Sequence, residues 1–351
     1  MNILLLQLKR IGDLIVTTPA IVAVRKQFPD AQVTLVISNE CAALAPAISN
    51  VDRIFVVRRG LSDAAVLIAL ARGKFDYCID FTRNDRSALL TFLSGARQRV
   101  VSERIKHKSK TRARVYNEFV PHRMRDMQTL DYNLALVGPL GIKDASRQLH
   151  LDLPTAAHEK AEQLCREANM DTEFIVLHPG SARVEKFWPA ERWAEVIDDA
   201  QLKRNLKAVI TGGGSDFEQG HIRDIKSKLR GSAVDLSGKT DLLTLAALIG
   251  RARLLITVDS APMHLAAATG TPQVVLFGPT NPFHWRPLVS PAIILQGAST
   301  SPVTEFAVKQ ERMSMNQIST SAVISAMESL LSKHNSGRAR PAGAPATEQG
   351  S

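Results

Sequence analysis

The stretch that decides the fold runs from Leu254 to Thr280 and reads LLITVDSAPMHLAAATGTPQVVLFGPT. Its apolar runs predict strands at Leu254–Val258 and Gln273–Phe277, with a small-residue helix between them that opens near Ala261. Neighbouring parallel strands end at the same edge of a sheet, and open α/β sheets bind ligands at that edge. Free amides at a helix start favour phosphate. The stretch therefore predicts a parallel α/β sheet with a nucleotide-sugar site at its edge.

Length and composition are typical of a soluble globular protein. The 351 residues predict two domains, and 45% apolar with 22% charged residues is typical of globular proteins. No apolar run reaches the ~18 to 20 residues of a membrane helix, and charged residues interrupt the apolar start, so a cytoplasmic protein is expected. Cys41, Cys78 and Cys165 lie far apart without metal-ligand spacing, which predicts buried thiols.

The net charge of +10 is concentrated in one segment. Residues 97–125 hold ten Lys or Arg side chains against only Glu103 and Glu118. Such a block is typical of a surface that meets an anionic partner, either a phosphorylated substrate or an anionic membrane. Tyr116 and Phe119 are the only aromatic residues for base stacking there, so no nucleic-acid partner is expected.

Strand and helix patterns alternate along the chain and predict two doubly wound, Rossmann-like α/β domains with a cleft between them. The first domain is predicted to span 1–165 and the second 170–312, followed by an amphipathic helix at 316–333 and a disordered tail at 334–351. Predicted strands of the first domain are 2–7, 32–37, 53–57, 77–81 and 98–101; its helices are 14–27, 63–71, 85–93 and 127–136, with 158–168 as a connecting helix. In the second domain, strands are predicted at 174–177, 207–211, 233–236, 254–258 and 273–277, and helices at 189–202, 216–229 and 242–250.

The first candidate for chemistry is Asp13, in the turn Lys9-Arg10-Ile11-Gly12-Asp13 between the first strand and first helix. Two interpretations remain open, which are not exclusive. Asp13 is either the N-cap of the helix, a common place for Asp, or a general base that faces the interdomain cleft.

Two further loops follow predicted strands of the second domain. In the loop from Ser181 to Pro189, Lys186 is either a point charge for a diphosphate or a surface lysine beside a buried Trp188. In the glycine-rich loop 211–218, Asp216 or Glu218 is a candidate for ribose hydroxyls, although Ser215 and Asp216 as plain helix caps are the alternative. The last glycine of a dinucleotide fingerprint is absent, which disfavours an NAD-dependent oxidoreductase.

The opening stretch carries the remaining candidates. Asp259 either holds its own loop or meets a sugar hydroxyl, and Ser260 and Ala261 supply amides near the helix start. His264 lies one turn further along the same helix, and its neighbours favour ligand contact over a purely structural role.

Together these motifs resemble glycosyltransferase family nine, the ADP-heptose:lipopolysaccharide heptosyltransferases, to about residue 333. The matching elements, in order, are Gly12-Asp13, Lys186 before Trp188-Pro189, Gly212 to Glu218, Leu236-Ser237-Gly238-Lys239-Thr240, Val258 to His264 and Phe277-Gly278-Pro279-Thr280. The run Val258-Asp259-Ser260-Ala261-Pro262 and the later Trp285-Arg286-Pro287 look most like the heptosyltransferase III subgroup.

The resemblance implies a GT-B fold, with the acceptor on the N-terminal domain and ADP-heptose on the C-terminal one. It implies an inverting, metal-independent transfer of heptose to the inner core of lipopolysaccharide, without a cofactor. It carries the base role onto Asp13 and ribose binding onto Glu218. The other expected donor contacts are Ser181, Lys186, Asp259, Ser260, Ala261, His264, Gly278 and Thr280.

The acceptor implied by the resemblance is lipid A-core, at the cytoplasmic face of the inner membrane. The basic residues expected to hold it are Lys9, Arg10, Arg104, Lys106, Arg112 and Arg123. They would also attract the enzyme to anionic lipid as a peripheral protein. The alternatives are another nucleotide-sugar or core position, as in heptosyltransferases I and II, and a non-catalytic protein that binds ADP or anionic lipid.

Overall fold

A computed structural model describes residues 1–58, 60, 63–170 and 172–334, and the first half of the chain forms a six-stranded parallel sheet. Its strands are β1 (Asn2–Gln7), β2 (Gln32–Ser38), β3 (Arg53–Val57), β4 (Tyr77–Asp80), β5 (Gln98–Ser102) and β6 (Glu118–Val120). The strand order is β3-β2-β1-β4-β5-β6. Strands added first on one side and then on the other of β1 are the hallmark of a doubly wound sheet.

The second half repeats this arrangement. Its strands are β7 (Phe174–His178), β8 (Lys207–Ile210), β9 (Val234–Asp235), β10 (Leu254–Val258), β11 (Gln273–Phe277) and β12 (Ala292–Gln296). The order β12-β11-β10-β7-β8-β9 again places the first strand beside the fourth, and every neighbouring pair is parallel. Two doubly wound sheets are thus confirmed.

Helices connect the strands of both sheets. In the first half they are α1 (Ile11–Ile15), α2 (Thr18–Gln27), α3 (Ala64–Arg72), α4 (Asp85–Leu93), α5 (Arg104–Lys108), α6 (Lys110–Ala113), α7 (Thr129–Leu136) and α8 (Thr155–Glu167). In the second half they are α9 (Ala190–Asp198), α10 (Asp216–Ser227), α11 (Leu242–Arg251), α12 (Ala261–Thr269), α13 (Pro282–Trp285) and α14 (Thr320–Lys333). Short 3₁₀ turns lie at Asn39–Ala47, Met124–Asp126, Gly138–Leu140, Val184–Lys186 and Met315–Gln317, and a π turn at Asp199–Lys203.

The sequence-based element assignment differs from the structure at several elements. The helix predicted over 14–27 is two helices, since Pro19 has no N–H to continue the first one and the Thr17 hydroxyl donates to the Asp13 carbonyl at 2.7 Å. The strands β6 and β12 were not predicted, because one is three residues long and the other follows directly on Pro291. The basic segment, left without elements, contains α5, α6 and β6.

The two halves share buried apolar surface beneath the facing sheet edges. Helix α11 packs against α8 and the Asn39–Ala47 turn, and α12 packs against α1. Leu14 and Leu44 of the first half join Leu245, Leu248 and Leu265 of the second in one buried cluster. Removal of this apolar area from water fixes the two sheets against each other.

The ends of the chain and its thiols complete the architecture. Helix α14 returns to the second half, where Val323 and Met327 are buried. Residues 335–351 of the expected disordered tail lie outside the described residues. All three cysteines are buried, as predicted. In the described part of the chain, no helix has the combined length and apolarity to cross a membrane.

Candidate functional site

Strand register brings the predicted donor residues to one edge of the C-terminal sheet. Thr257 pairs with His178 between β10 and β7, so Ser260 and Ser181 each follow the paired position by three residues. Between β10 and β11 the same register sets Gly278 beside Ser260. Ser260 is the N-cap residue of α12 with extended backbone, which leaves the first amides of that helix at the edge.

Lys186 and Asp259 form the most tightly paired charges of the site. The Lys186 ammonium donates to the Asp259 carboxylate at 2.6 Å and to the Asp259 backbone carbonyl at 2.9 Å. Only 12% of the Lys186 side chain and 10% of the Asp259 side chain is exposed. The alternative of a surface lysine is therefore wrong, while Trp188 beside it is buried and donates to the Ile318 carbonyl at 3.0 Å.

His264 connects this edge to the first half of the chain. Its ring lies against Gly12, where a side-chain carbon would come within 2.6 Å of the imidazole Cδ2. Burial lowers the pKa of His264, and the charges of Asp259 and Asp13 act in the opposite direction. His264 is consequently a neutral imidazole at neutral pH, held between the two halves.

Asp13 approaches this group from the N-terminal sheet. It is the third residue of α1, and the N-cap of that helix is Arg10. The N-cap interpretation of Asp13 is therefore wrong. Asp13 is buried, and the Lys9 ammonium lies 3.6 Å from its Oδ1. A carboxylate with one loosely held cation keeps acceptor positions free for a hydroxyl proton.

Glu218 lies over the ends of β7 and β8. A side-chain carbon at Gly180 or at Gly213 would come within 2.3 Å of one of its carboxylate oxygens, so both glycines make room for it. Ser215 is the N-cap of α10, accepts from the Glu218 amide at 3.4 Å and donates to its carboxylate at 3.1 Å. The capping interpretation holds for Ser215, and Glu218 belongs to the same cap.

The remaining donor candidates line the ends of β7 and β11. Ser181 is buried, and its hydroxyl accepts from the Arg183 amide at 3.3 Å. The Gly278 carbonyl accepts from the Met313 amide at 3.3 Å. The Thr280 hydroxyl is buried and has no hydrogen-bond partner among the described residues, which leaves it available to a ligand.

The six basic residues predicted to hold an acceptor are not equivalent. Arg10 and Arg123 are exposed, whereas Lys9 is half-buried beside Asp13. Lys106 packs over the Phe119 ring at 4.0 Å. Arg112 is occupied by Asp85 at 3.2 Å and by a backbone carbonyl. Lys106 and Arg112 therefore also stabilise the segment in which they lie.

A cavity of about 510 Å³ adjoins the same edge of the N-terminal sheet. The side chains and backbone that line it come from Leu8, Ser38, Asn39, Glu40, Val57, Arg58, Asn84, Asp85 and Arg86. Arg58 and Arg86 were not among the predicted site residues. Their positions in the sequence could have indicated a site, because Arg58 directly follows β3 and Arg86 lies in the first turn of α4, the helix after β4.

Comparison with known proteins agrees with this architecture. The family model for glycosyltransferase family 9 (heptosyltransferase) matches residues 64–314. The lipopolysaccharide heptosyltransferase 3 of Escherichia coli is 26% identical over 336 residues, which cover 93% of this chain and 98% of that protein.

Solved structures share the fold over most of the chain. A family 9 glycosyl transferase from Veillonella parvula superposes with a TM-score of 0.82 at 27% identity, covering 95% of this chain and 97% of that one. The E. coli ADP-heptose lps heptosyltransferase II superposes with a TM-score of 0.75 at 19% identity, covering 96% of this chain and 100% of that one. With a family match over most of its length, the chain belongs to glycosyltransferase family 9, the heptosyltransferases.

Proposed function

We propose that this enzyme is an inverting glycosyltransferase that moves heptose from ADP-heptose to a hydroxyl of the lipopolysaccharide inner core, as a heptosyltransferase III does. One observation carries the proposal: Gly12, the neighbour of Asp13 in α1, lies against the ring of His264 in α12, and α12 begins two residues after Asp259, the ion-pair partner of Lys186. A base and a phosphate-binding cation thus converge from opposite halves, as a two-substrate reaction requires.

In the proposed donor complex, the C-terminal half (170–312) holds ADP-heptose. Lys186 and the amides at Ser260 and Ala261 hold the diphosphate at the start of α12. Glu218 accepts hydrogen bonds from the ribose hydroxyls, and Asp259 and His264 contact the heptose. Ser181, Gly278 and Thr280 complete the same sheet edge.

The proposed reaction is a single displacement. The acceptor hydroxyl attacks the anomeric carbon, its proton passes to the Asp13 carboxylate, and the bond from that carbon to the ADP oxygen breaks with inversion. Lys186 and the helix-end amides stabilise the charge on the departing ADP, a preorganised electrostatic contribution that requires no metal ion.

The N-terminal half (1–165) is proposed to hold the acceptor. Its basic residues would bind the phosphates and carboxylates of lipid A-core, and the same charge would attract the enzyme to anionic lipid on the cytoplasmic face of the inner membrane. The proposal includes Arg58 and Arg86 in the cavity beside the sheet edge.

The test is a donor panel. The protein is incubated with ADP-heptose and with other ADP- and UDP-sugars, each with truncated lipopolysaccharide cores, and nucleotide release is followed together with the mass of the core. We expect ADP release with ADP-heptose and one added heptose on an acceptor that lacks the branch heptose. The proposal would be contradicted if the protein transferred another sugar in preference to heptose, or if it bound ADP without transferring any sugar.

A further inference from the structure

Arg83 lies three residues after the end of β4, in a backbone conformation that local hydrogen bonds hold. Its φ is 66°, in the left-handed region that non-glycine residues rarely adopt. Asp80 supplies the constraint, since its Oδ1 accepts from the amides of Thr82 at 2.7 Å and Arg83 at 3.0 Å. Its Oδ2 is fixed by the hydroxyls of Ser87 at 2.7 Å and Tyr116 at 2.6 Å. A fully buried carboxylate therefore positions Arg83.

This constraint sets Arg83 beside Lys9. Strands β1 and β4 are neighbours, and Lys9 and Arg83 each lie three residues beyond the paired Leu6 and Asp80. The Thr82 hydroxyl accepts from the amide directly before Lys9 at 2.7 Å, which ties the two loops together. Burial lowers the pKa of Lys9, the Asp13 carboxylate opposes this shift, and the positive charge of Arg83 adds to it.

The Arg83 guanidinium is packed on its sides but not neutralised. It lies 5.0 Å from the centre of the Tyr132 ring, and its Nη2 meets only the weak acceptor Met124 Sδ at 3.4 Å. Its Nε is buried without a hydrogen-bond partner. In the described part of the chain no carboxylate forms an ion pair with Arg83.

Two cations that lie close together and have unsatisfied N–H donors are stabilised when an anion binds between them. We propose that Arg83, with Lys9, forms a subsite for one acidic group of the acceptor, a carboxylate or a phosphate, next to the hydroxyl that reacts. The planar guanidinium suits either group, because both accept two parallel hydrogen bonds. The inference rests on the proposed function for the identity of the acceptor, but not for the binding of the anion.

The direct test measures anion binding without the reaction. The protein is saturated with ADP to occupy the donor site, and inorganic phosphate and acetate are titrated separately at low ionic strength, with line broadening of the ion in NMR as the readout. We expect one of the two ions to bind the wild type in the millimolar range. Arg83→Gln weakens that binding about tenfold or more, whereas the exposed Arg166→Gln on α8 leaves it unchanged.

Binding of phosphate would identify a phosphate subsite, and binding of acetate would identify a carboxylate subsite. Equal binding by wild type and Arg83→Gln overturns the proposal, as does failure of both ions to bind the wild type. These outcomes hold whether or not the protein transfers heptose, so failure of the proposed function is seen separately, in the donor panel.

Kinetics with a transferable acceptor separate binding from a structural role. Arg83→Gln is expected to raise KM for the core acceptor about tenfold to a hundredfold while KM for ADP-heptose stays within about twofold. Arg83→Lys keeps the charge but loses the two parallel N–H donors of the guanidinium, so its KM for the acceptor should lie between those of wild type and Arg83→Gln. A lower melting temperature with unchanged acceptor KM, or an equal rise in both KM values, assigns Arg83 a structural role and contradicts the subsite.

Discussion

At the residue scale, the pairing of Lys186 with Asp259 has consequences for both stability and binding. Both side chains are nearly buried and each neutralises the other at 2.6 Å. A buried carboxylate that loses its cation is costly, while removal of both charges is often tolerated. In the proposed donor complex the diphosphate would share Lys186 with Asp259, whose carboxylate fixes the position of the lysine.

Lys186→Ala is expected to lower the free energy of unfolding by about 3 kcal/mol, because it leaves Asp259 buried and unpaired. Lys186→Ala/Asp259→Asn should regain most of that stability in urea unfolding. Calorimetry should show that both variants bind ADP more weakly than wild type does. An unchanged ADP affinity in Lys186→Ala would remove this lysine from the donor site.

Asp13→Ala is expected to reduce kcat by about 10²- to 10⁴-fold, the usual range for loss of a general base. ADP should bind almost as tightly as before, since Asp13 belongs to the half without the donor. Steady-state transfer and ADP calorimetry on the same preparation measure both quantities. Near-normal turnover would exclude the base role.

His178, at the end of β7, predicts a pH dependence of stability. Burial lowers its pKa from 6.5 to about 4, and its Nδ1 lies 3.0 Å from the Thr211 hydroxyl. Between these values the unfolded chain takes up a proton that the folded protein does not, so stability falls as the pH drops from about 6.5 to about 4.

The stability advantage of wild type over His178→Gln should shrink by about 3 kcal/mol between pH 7 and pH 4. Urea unfolding of both proteins across this range measures it. The exposed His122→Gln is the control and should parallel wild type. A gap between wild type and His178→Gln that is independent of pH would show that this histidine is not buried as a neutral ring.

At the element scale, the contact between α1 and α12 joins Asp13, the proposed base, to the edge proposed to hold the donor. Gly12 permits it, because the His264 ring occupies the space where any other side chain would begin. A second bridge lies at α13, where His284 Nδ1 is 3.1 Å from the Met127 carbonyl and Gln128 donates to the Arg286 carbonyl at 3.2 Å. These contacts set the distance between the two sheet edges.

Gly12→Ala is expected to destabilise the protein by about 1–3 kcal/mol through overpacking against His264. In Gly12→Ala/His264→Ala the clash is absent, so the double variant should be more stable than the sum of the single effects predicts. Urea unfolding of the four proteins gives this coupling energy. Additive effects would show that the two residues do not touch in solution.

At the scale of the whole molecule, charge is divided unevenly between the halves. The described basic residues of 97–125 surround β5 and β6 at one side of the N-terminal sheet. Several of them are exposed, including Lys106, Lys108, Lys110 and Arg123. A concentrated field of this kind attracts an anionic surface over about a Debye length and is screened by salt.

Vesicles with anionic lipid should therefore bind the protein at low salt and release it as salt is raised, whereas zwitterionic vesicles should not bind it. Replacement of Lys106, Lys108, Lys110 and Arg123 by Gln should abolish sedimentation with the vesicles. Four equivalent changes in the C-terminal half, at Lys203, Lys226, Lys228 and Arg230, are the control. If both quadruple variants sediment alike, the basic segment is not a membrane-binding surface.

The sequence by itself determined the fold class and the order of most elements. Strands such as Leu254–Val258 are continuous apolar runs bounded by turn residues, and this pattern is local, so it can be read without the rest of the chain. The motif set from Gly12 to Thr280 likewise identified the family, since each motif follows a strand and opens a helix.

Tertiary structure alone decided which residues meet. The pairing of Lys186 with Asp259 and the contact of His264 with Gly12 join positions 73 and 252 residues apart, and depend on strand register and on the packing of the two halves. The constraint that Asp80 places on Arg83 is equally invisible in the sequence, and the sequence left Asp13 open between a helix cap and a general base. Periodicity records which side of an element is buried, but the partners of a buried charge are chosen by chain segments far away in sequence.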